Sequence, residues 1–406
     1  MNQEPTSVLI IVENLPVPMD RRVWQEARAL TEAGYRVSVI CPRGRGFEAS
    51  RETREGIEIY RYRIWEASGP LGYLLEYGLA LLAGFLLAVR VYVRTRFRIL
   101  HACNPPDTIF LIGLFFKLFG VRFIFDHHDL NPELFEAKFK RKGFFYRLLC
   151  LAEWLTFRTA DVSIATNESY RDIAVARGGI PSERVFIVRS CPDLKNVRQG
   201  PPQAGLKEGR PLLVAYLGVM GAQEGLDLLL ESIEYIVRQQ NRGDTFFVLI
   251  GAGTELPHLK AVAAQKGLDS ITKFTGRIPD DELAAYLSTA DVCVAPDPKN
   301  PMNDKSTMNK ILEYMAFGRP IVLYDLTEGR RSARDAALYA RPNDPKDFAE
   351  KIVRLLDSES LRRQLGECGC KRIEAVLNWE VEKKMLLKAY EASVKQDSST
   401  LVRTGL

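Results

Sequence analysis

The feature that most constrains this chain is an alternation, repeated in two series, of short β-branched apolar runs and longer amphipathic stretches. The first run, Val8-Leu-Ile-Ile-Val12, is uninterrupted by polar residues, the pattern of a parallel strand buried on both faces. Residues 21–33 read as a helix that stops at Gly34, and Tyr35-Arg-Val-Ser-Val-Ile40 is the next strand. Further strands are predicted at Ile57–Tyr62, Ile99–His101, Arg122–Phe125, Asp161–Ala165 and Val185–Val188, with a helix around 108–119. A second series follows, with strands at Leu212–Tyr216, Phe246–Ile250, Ile271–Phe274, Val292–Val294 and Ile321–Leu323. Helices are predicted between them, at about 225–240, 254–266, 280–288 and 308–317. Strands that alternate with helices imply parallel sheets covered by helices on both faces.

Two such series suit the length. At roughly 150 residues per domain, 406 residues make two domains, each able to bury its own core. Residues 192–210 are rich in Pro, Gly, Lys and Gln and carry almost no apolar pattern, so the division is placed there. The expected organisation is an α/β chain of two Rossmann-like domains facing across a cleft. An N-terminal domain spans 1–195, a linker 196–210 and a C-terminal domain 211–385, with the final helix returning to the first domain and a frayed tail within 386–406.

Net charge is +5, and the excess is local: residues 1–200 hold 28 Lys and Arg against 22 Asp and Glu. That is too little for nucleic-acid binding and compatible with an anionic membrane surface or an anionic acceptor. Seven scattered cysteines show no metal-ligand spacing, the close pair Cys368-Gly-Cys370 reads as incidental, and a reduced, cytosolic compartment fits. The opening run Val8–Val12 is too short for a signal peptide and lacks a basic start. Leu74–Val93 is apolar, but Glu76 and Arg90 leave only the uncharged run 77–89, short of the roughly 20 residues a spanning helix needs. A buried or interfacial helix is the expectation.

Three segments of the second half suggest a ligand site. Gly251-Ala-Gly253-Thr254 follows a strong strand and opens a helix, a turn where phosphate or ribose can approach backbone, though equally a plain tight turn. Phe274-Thr-Gly-Arg-Ile-Pro279 follows the next strand and places Gly276, Arg277 and Ile278 where a flat base could lie. Lys305-Ser-Thr-Met-Asn-Lys310 leads into a helix that should close at Gly318, with Ser306 or Thr307 as its cap. The N-terminus of that helix, with Asn309 in its first turn, faces the carboxyl edge of the sheet, where Lys310 and free N–H groups can hold a pyrophosphate. Glu313, one turn further in, can accept from a ribose diol.

These segments resemble the large retaining glycosyltransferase family four, of the GT-B fold. The likeness rests on Glu313-Tyr-Met-Ala-Phe-Gly-Arg-Pro320, Ala290-Asp291 with Pro296, Phe274–Pro279, the Gly251–Gly253 loop, Trp379, and Gly34-Tyr-Arg-Val-Ser-Val-Ile40. Asn104-Pro-Pro-Asp107 and Asp126-His-His-Asp-Leu130 look like a bacterial subgroup that builds surface polysaccharides. The resemblance implies Glu313 on the donor ribose and His128 beside the reacting sugar, with His127 the alternative if the register shifts by one. Flanking Asp126 and Asp129 would raise the basicity of either ring. Three positions depart from the family. Lys305 stands where a glutamate usually faces the sugar, with Asp304 next to it as a substitute. Val219 and Glu224 stand where the Gly218-to-Gly225 loop usually offers Arg and Lys. Pro16-Val-Pro-Met-Asp-Arg-Arg22 replaces a glycine-rich loop. Lys305, Lys310, Arg21 or Arg22 would then supply the missing charge.

The implied activity is transfer of a sugar from a nucleoside-diphosphate donor, UDP above others, to a hydroxyl of a glycan or polyprenyl-diphosphate-linked acceptor, with anomeric configuration retained. No cofactor, metal or nucleic acid is implied, and the place of work would be the cytoplasmic face of the plasma membrane. A nucleotide-sugar epimerase or phosphorylase on the same fold, or a binding protein without catalysis, are the alternatives.

Overall fold

A computed structural model describes the backbone of residues 5–63 and 70–401 and the side chains of 5–63 and 78–394. The tail beyond 401 lies outside the described residues. Two compact units emerge: Met1–Ser190 with Glu382–Leu406, and Cys191–Val381.

The first unit runs β1 (Ser7–Ile11), α1 (Arg21–Glu32), β2 (Arg36–Pro42), β3 (Arg51–Arg54), β4 (Ile57–Tyr62), α2 (Pro70–Thr95), β5 (Ile99–Cys103), α3 (Phe110–Lys117), β6 (Arg122–His127), α4 (Asn131–Phe139), α5 (Phe144–Thr159), β7 (Val162–Ala165), α6 (Glu168–Ala176) and β8 (Val185–Ile187). Its sheet has the order β3-β4-β2-β1-β5-β6-β7-β8. Every residue of β1 is buried, as its unbroken apolar run requires of a central parallel strand. Asp20 caps α1 by accepting from the Val23 N–H. One strand departs from the expected parallel sheet. β3 pairs antiparallel with β4 because Glu55 and Gly56, at φ 50° and 80°, form the two-residue turn of a hairpin. Its sequence, Arg-Glu-Thr-Arg, has no apolar residue to betray it.

The second unit runs β9 (Leu212–Leu217), α7 (Leu226–Arg238), β10 (Thr245–Ile250), α8 (Leu256–Gln265), β11 (Thr272–Gly276), α9 (Asp280–Thr289), β12 (Val292–Ala295), α10 (Asn309–Ala316), β13 (Ile321–Tyr324), α11 (Thr327–Ala333), β14 (Ala337–Ala340), α12 (Pro345–Leu356) and α13 (Glu359–Val376). The last helix, α14 (Trp379–Leu401), starts here and is counted from Glu382 with the first unit. The six strands are parallel, ordered β11-β10-β9-β12-β13-β14. Alternate residues of β9 feed two separate cores, Val214 and Tyr216 on one face, Leu213 and Ala215 on the other. The apolar-poor segment 192–210 lies on this unit: Gly200 and Gln203 donate backbone N–H groups to Ser288 and Thr289, and the Gln199 amide donates to the Ala316 carbonyl.

Strand order decides where each unit can hold a ligand. From β1 the chain passes to β2 on one side and later to β5 on the other; from β9 it passes to β10 on one side and later to β12 on the other. Each pair of divergent crossovers opens a crevice at the carboxyl ends of the strands, the usual ligand position of such sheets.

Candidate active site residues

At the crevice of the first unit the charged side chains converge. Arg22, on the first turn of α1, forks Asp126 at the end of β6, with Nη2 2.9 and 3.1 Å from Oδ1 and Oδ2 and Nε 3.2 Å from Oδ2. Its other nitrogen, Nη1, donates to the Val188 carbonyl at 2.8 Å. Asp126 is wholly buried, which works to raise its pKa, yet Arg22 and His128 hold it well below the ordinary carboxylate value. His128 Nε2 lies 2.6 Å from Asp126 Oδ2 and 2.9 Å from Arg22 Nε, and one nitrogen cannot donate and accept at once. A protonated Nε2 donating to Asp126 satisfies the group, because Arg22 Nε still has Asp126 Oδ2 to bond.

The backbone of this loop is pinned as well. Asn104 Oδ1 accepts from the N–H groups of His128 and Asp129, at 2.6 and 3.1 Å, and its amide donates to the Asp129 carbonyl and to Asp107. Behind Asp126 a second layer is fully buried. His101 Nε2 stands 3.3 Å from Asp126 Oδ2, and its Nδ1 meets the Tyr390 hydroxyl of α14 at 2.7 Å. Burial lowers the His101 pKa and raises that of Glu26 well above its ordinary value, so this layer favours neutral forms around one guanidinium and one carboxylate. His101, Cys103 and Asp126 bring three possible metal donors within 4.8 Å. Arg22 already forks that carboxylate and Tyr390 already bonds that imidazole, so the trio reads as a hydrogen-bonded network.

Alternation along β6 separates the histidine pair. Asp126 and His128 turn toward α1, whereas His127 follows Phe125 to the opposite face. There it is fully buried against Phe125, Phe157 and Tyr170, with ring centroids 5.1–5.4 Å away. His128 is the member of the pair that keeps some exposure, 13% of its side chain.

In the second unit the crevice is crowded by backbone. A Cβ on Gly251 would meet the Gly218 oxygen at 1.8 Å, and one on Gly253 would meet the Met220 oxygen at 2.2 Å. These glycines are required because the loop after β9 lies against the loop after β10. Beneath that loop Lys310, on the first turn of α10, is 8% exposed. Its Nζ is 2.8 Å from Glu224, 2.9 Å from Asp297 and 3.5 Å from the Tyr216 hydroxyl, three acceptors for three N–H bonds. Burial raises the Asp297 pKa to about 6 against the pull of Lys310. The carboxylates outnumber the ammonium.

The N-terminus of α10 adjoins this cage. Met308 precedes α10, and its own side chain makes no capping hydrogen bond. Ser306 donates its hydroxyl to the Met302 carbonyl at 2.9 Å. The far end closes as the sequence predicts: Gly318, at φ 63°, donates to Met315, and the Arg319 N–H donates to Tyr314.

Comparison with known proteins settles the class. Residues 19–191 match the family described as glycosyl transferase 4-like domain, and residues 211–358 match glycosyl transferases group 1. The chain belongs to glycosyltransferase family four. It is 28% identical over 178 residues to an uncharacterised glycosyltransferase of Methanocaldococcus jannaschii, covering 43% of this chain and 47% of that one. It is 26% identical over 182 residues to the phosphatidyl-myo-inositol mannosyltransferase of Mycobacterium leprae, covering 44% and 46%. The chain thus spans about half the length of the curated relatives it matches. Among solved structures, a sucrose-phosphate synthase from Thermosynechococcus elongatus superposes with a TM-score of 0.78 over 95% of this chain and 98% of the other, at 19% identity. WaaG, a glycosyltransferase involved in lipopolysaccharide biosynthesis, superposes with 0.70 over 94% and 98%, at 16% identity. Those likenesses show the GT-B fold.

Within this family member the remaining sequence-predicted residues fall as follows. Glu313 is half-buried on α10, one turn beyond Lys310, and Asn309 is exposed at the start of the helix. Lys305 ends a short 3-10 turn, Asn303–Lys305, and is half-buried. Asp304 is engaged elsewhere, accepting from the Thr327 backbone and hydroxyl at 2.9 and 3.0 Å. Arg277 is exposed and Ile278 half-buried just beyond β11, two strands from β9. Arg21 is exposed beside the inward-turned Arg22. Sequence reasoning missed Asn104, His101 and Tyr390 around His128, and Glu224, Asp297 and Tyr216 around Lys310.

Proposed function

We propose that this glycosyltransferase transfers a sugar from a nucleoside-diphosphate donor, UDP above others, to a hydroxyl of a glycan or polyprenyl-diphosphate-linked saccharide in cell-surface polysaccharide synthesis. It does so with retained configuration, in the cytoplasm at the inner face of the plasma membrane. The observation that carries the reading is the pair of crevices: one presents His128 oriented by Asp126 and Asn104, the other presents the N-terminus of α10 followed by Glu313. Anabaena HepE, a neighbour with a TM-score of 0.70 at 13% identity, is solved in complex with UDP, which supports a nucleotide donor.

In this reading the first N–H groups of α10 receive the diphosphate and Glu313 accepts from the ribose diol. The anomeric carbon loses its bond to the phosphate oxygen and gains one to the acceptor oxygen, whose proton leaves with the released diphosphate. His128 hydrogen-bonds the sugar as charge builds at the anomeric carbon, a task suited to a ring held from both its backbone and its Nε2. Lys310 is a strut in this scheme, since its three N–H bonds are already committed.

A thermal-shift panel of nucleotides and nucleotide sugars tests the donor. A ligand at 100 times its Kd should raise stability by about 2.7 kcal/mol. Slow release of free sugar from the stabilising donor, with its anomeric configuration followed by NMR before mutarotation, then tests the chemistry. No shift with any nucleotide would refute the donor assignment.

A further inference from the structure

Among the described residues, fifteen of the twenty exposed large apolar side chains fall between Leu79 and Trp154, all in the first unit. They form stripes on three helices. α2 exposes Leu79, Leu82 and Leu86; α3 exposes Leu111 and Leu114, continued by Leu118 just past its end; α5 exposes Phe144, Phe145, Leu148, Leu151 and Trp154. The spacing of three and four residues puts each stripe on one side of its helix. The opposite sides are core. Ala88 and Val91 of α2, Ile112 and Phe116 of α3, and Phe157 of α5 are all buried. The helices lie side by side in one layer, since Phe85 of α2 packs on Phe115 of α3 at 4.9 Å, α3 touches α5, and both α3 and α5 pack on β6. Each helix therefore carries a second apolar face that the fold does not use.

The charge of this region is one-sided. Between residues 78 and 158 ten Lys and Arg side chains are exposed. In the same span no Asp or Glu is exposed: Asp107, Asp126, Glu133 and Glu153 are buried, and Asp129 and Glu136 are half-buried. Cations cluster at two edges of the apolar stripes, Arg90 to Arg98 at the end of α2 and Lys138 to Lys142 before α5. A monomer surface with so much contiguous apolar area marks a contact surface. Cations without anions around it select a partner with negative charge.

We propose that the α2–α3–α5 layer is the face by which this enzyme lies on an anionic lipid bilayer, with the α3 stripe at its centre and α2 in the plane of the headgroups. Leu118 and Phe119, at the end of α3, are 82% and 55% exposed and form the tip that enters the acyl boundary. A second copy of the chain fits the face poorly. A two-fold dimer would bring the same basic rim of both copies together. Spanning is disfavoured too. Gly78–Thr95 of α2 is long and apolar enough to cross a membrane, but doing so would strip Ala88 and Val91 from the strands they cover. The basic excess of the first half and the apolar run 77–89 were the sequence's pointers to such an attachment; the exposed stripe of α3 is legible only in the structure.

This deepens the localisation in the proposed function, and its test reads no sugar transfer, so either can fail without the other. The full chain is floated with vesicles of phosphatidylcholine alone or with phosphatidylglycerol. Partition onto the anionic vesicles should be at least fivefold greater and should fall severalfold in 0.5 M salt, since phosphate-headgroup attraction is screened. The triple variant Leu111→Ser, Leu114→Ser, Leu118→Ser should lose at least tenfold in partition while keeping the wild-type melting temperature and nucleotide shift. Replacing Lys138, Lys140, Arg141 and Lys142 by Ser should remove most of the preference for phosphatidylglycerol. Wild-type flotation of the triple variant, no flotation of the wild type, or equal flotation with both vesicles overturns the proposal. So does resistance to alkaline carbonate, which would mean a spanning α2, or a dimer that the triple variant dissociates, which would mean a second copy on this face.

Discussion

At the crevice of the first sheet a guanidinium forks one carboxylate and a histidine keeps an open edge; at the crevice of the second sheet an ammonium is held by two carboxylates and a phenol. Both clusters occupy the same topological place, yet their cations serve different ends. Arg22 fixes Asp126 in its charged form, so the pair orients His128 without adding net charge. Lys310 is outnumbered by Glu224 and Asp297, so its cage offers a diphosphate no net attraction. The place of a cation at a ligand crevice does not by itself make it a ligand. What counts is how many of its hydrogen bonds the fold has already taken. On the proposed reading, neutralisation of a donor diphosphate is assigned to the α10 N-terminus and to side chains such as Lys305.

The largest effect should come from the first crevice. His128→Ala should lower turnover by about 10²–10⁴-fold, the usual range for a positioned side chain acting on the reacting group, with donor affinity within about twofold. His127→Ala should leave turnover per folded molecule near wild type and lower the melting temperature, because it empties a packed site against Phe125, Phe157 and Tyr170. Reversal of those two phenotypes would break the distinction between the faces of β6.

Next in size is Lys310→Ala. It strands Asp297 and Glu224 beside each other, and breaking a buried pair from one side costs about 3–5 kcal/mol. Denaturant unfolding should show that loss in the second unit. A variant of unchanged stability that fails to bind nucleotide would make Lys310 a phosphate ligand after all.

A smaller effect, of a few kcal/mol at most, concerns pH. Glu13, just past β1, is 9% exposed, neither carboxyl oxygen has a hydrogen-bond partner, and burial raises its pKa to about 8 from 4.5. The folded state holds this proton more tightly than the unfolded chain does. The contribution to stability is therefore fully present below pH 4.5 and is lost as pH rises through 8. Glu13→Gln should flatten stability between those limits and make the protein more stable than wild type at pH 9. An unchanged pH–stability curve would mean that Glu13 is ionised and solvated in the folded protein.

Much of the fold was legible because β strands such as Val8–Val12 and Phe246–Ile250 are unbroken apolar runs, and because Gly34 and Gly318 end helices by a local rule. The β3 strand was not, since its pairing depends on the Glu55-Gly56 turn and none of its residues is apolar. The histidine pair was decidable in principle. Residues 125 and 127 share a face of any strand, and an aromatic at 125 puts His127 with the core. The partners of Arg22 and Lys310 were not decidable, because Asp126 lies 104 positions from Arg22 and Glu224 lies 86 from Lys310. Only the strand order brings them together, and the sequence contains no local trace of it. The resemblance to the family marked the positions 219 and 224 as lacking their usual cations, but not that Glu224 would be the residue that claims Lys310.

The central claim, that the second crevice holds a nucleotide and the first acts on the sugar, is tested most directly by calorimetric titration of UDP into the wild type, Glu313→Ala and His128→Ala. Loss of charge-assisted hydrogen bonds to a ribose diol should weaken UDP by about 1.5–3 kcal/mol in Glu313→Ala, roughly 10- to 150-fold in Kd, with His128→Ala within about twofold of wild type. Equal UDP affinity in the wild type and Glu313→Ala, or a loss confined to His128→Ala, would contradict the assignment of the two crevices.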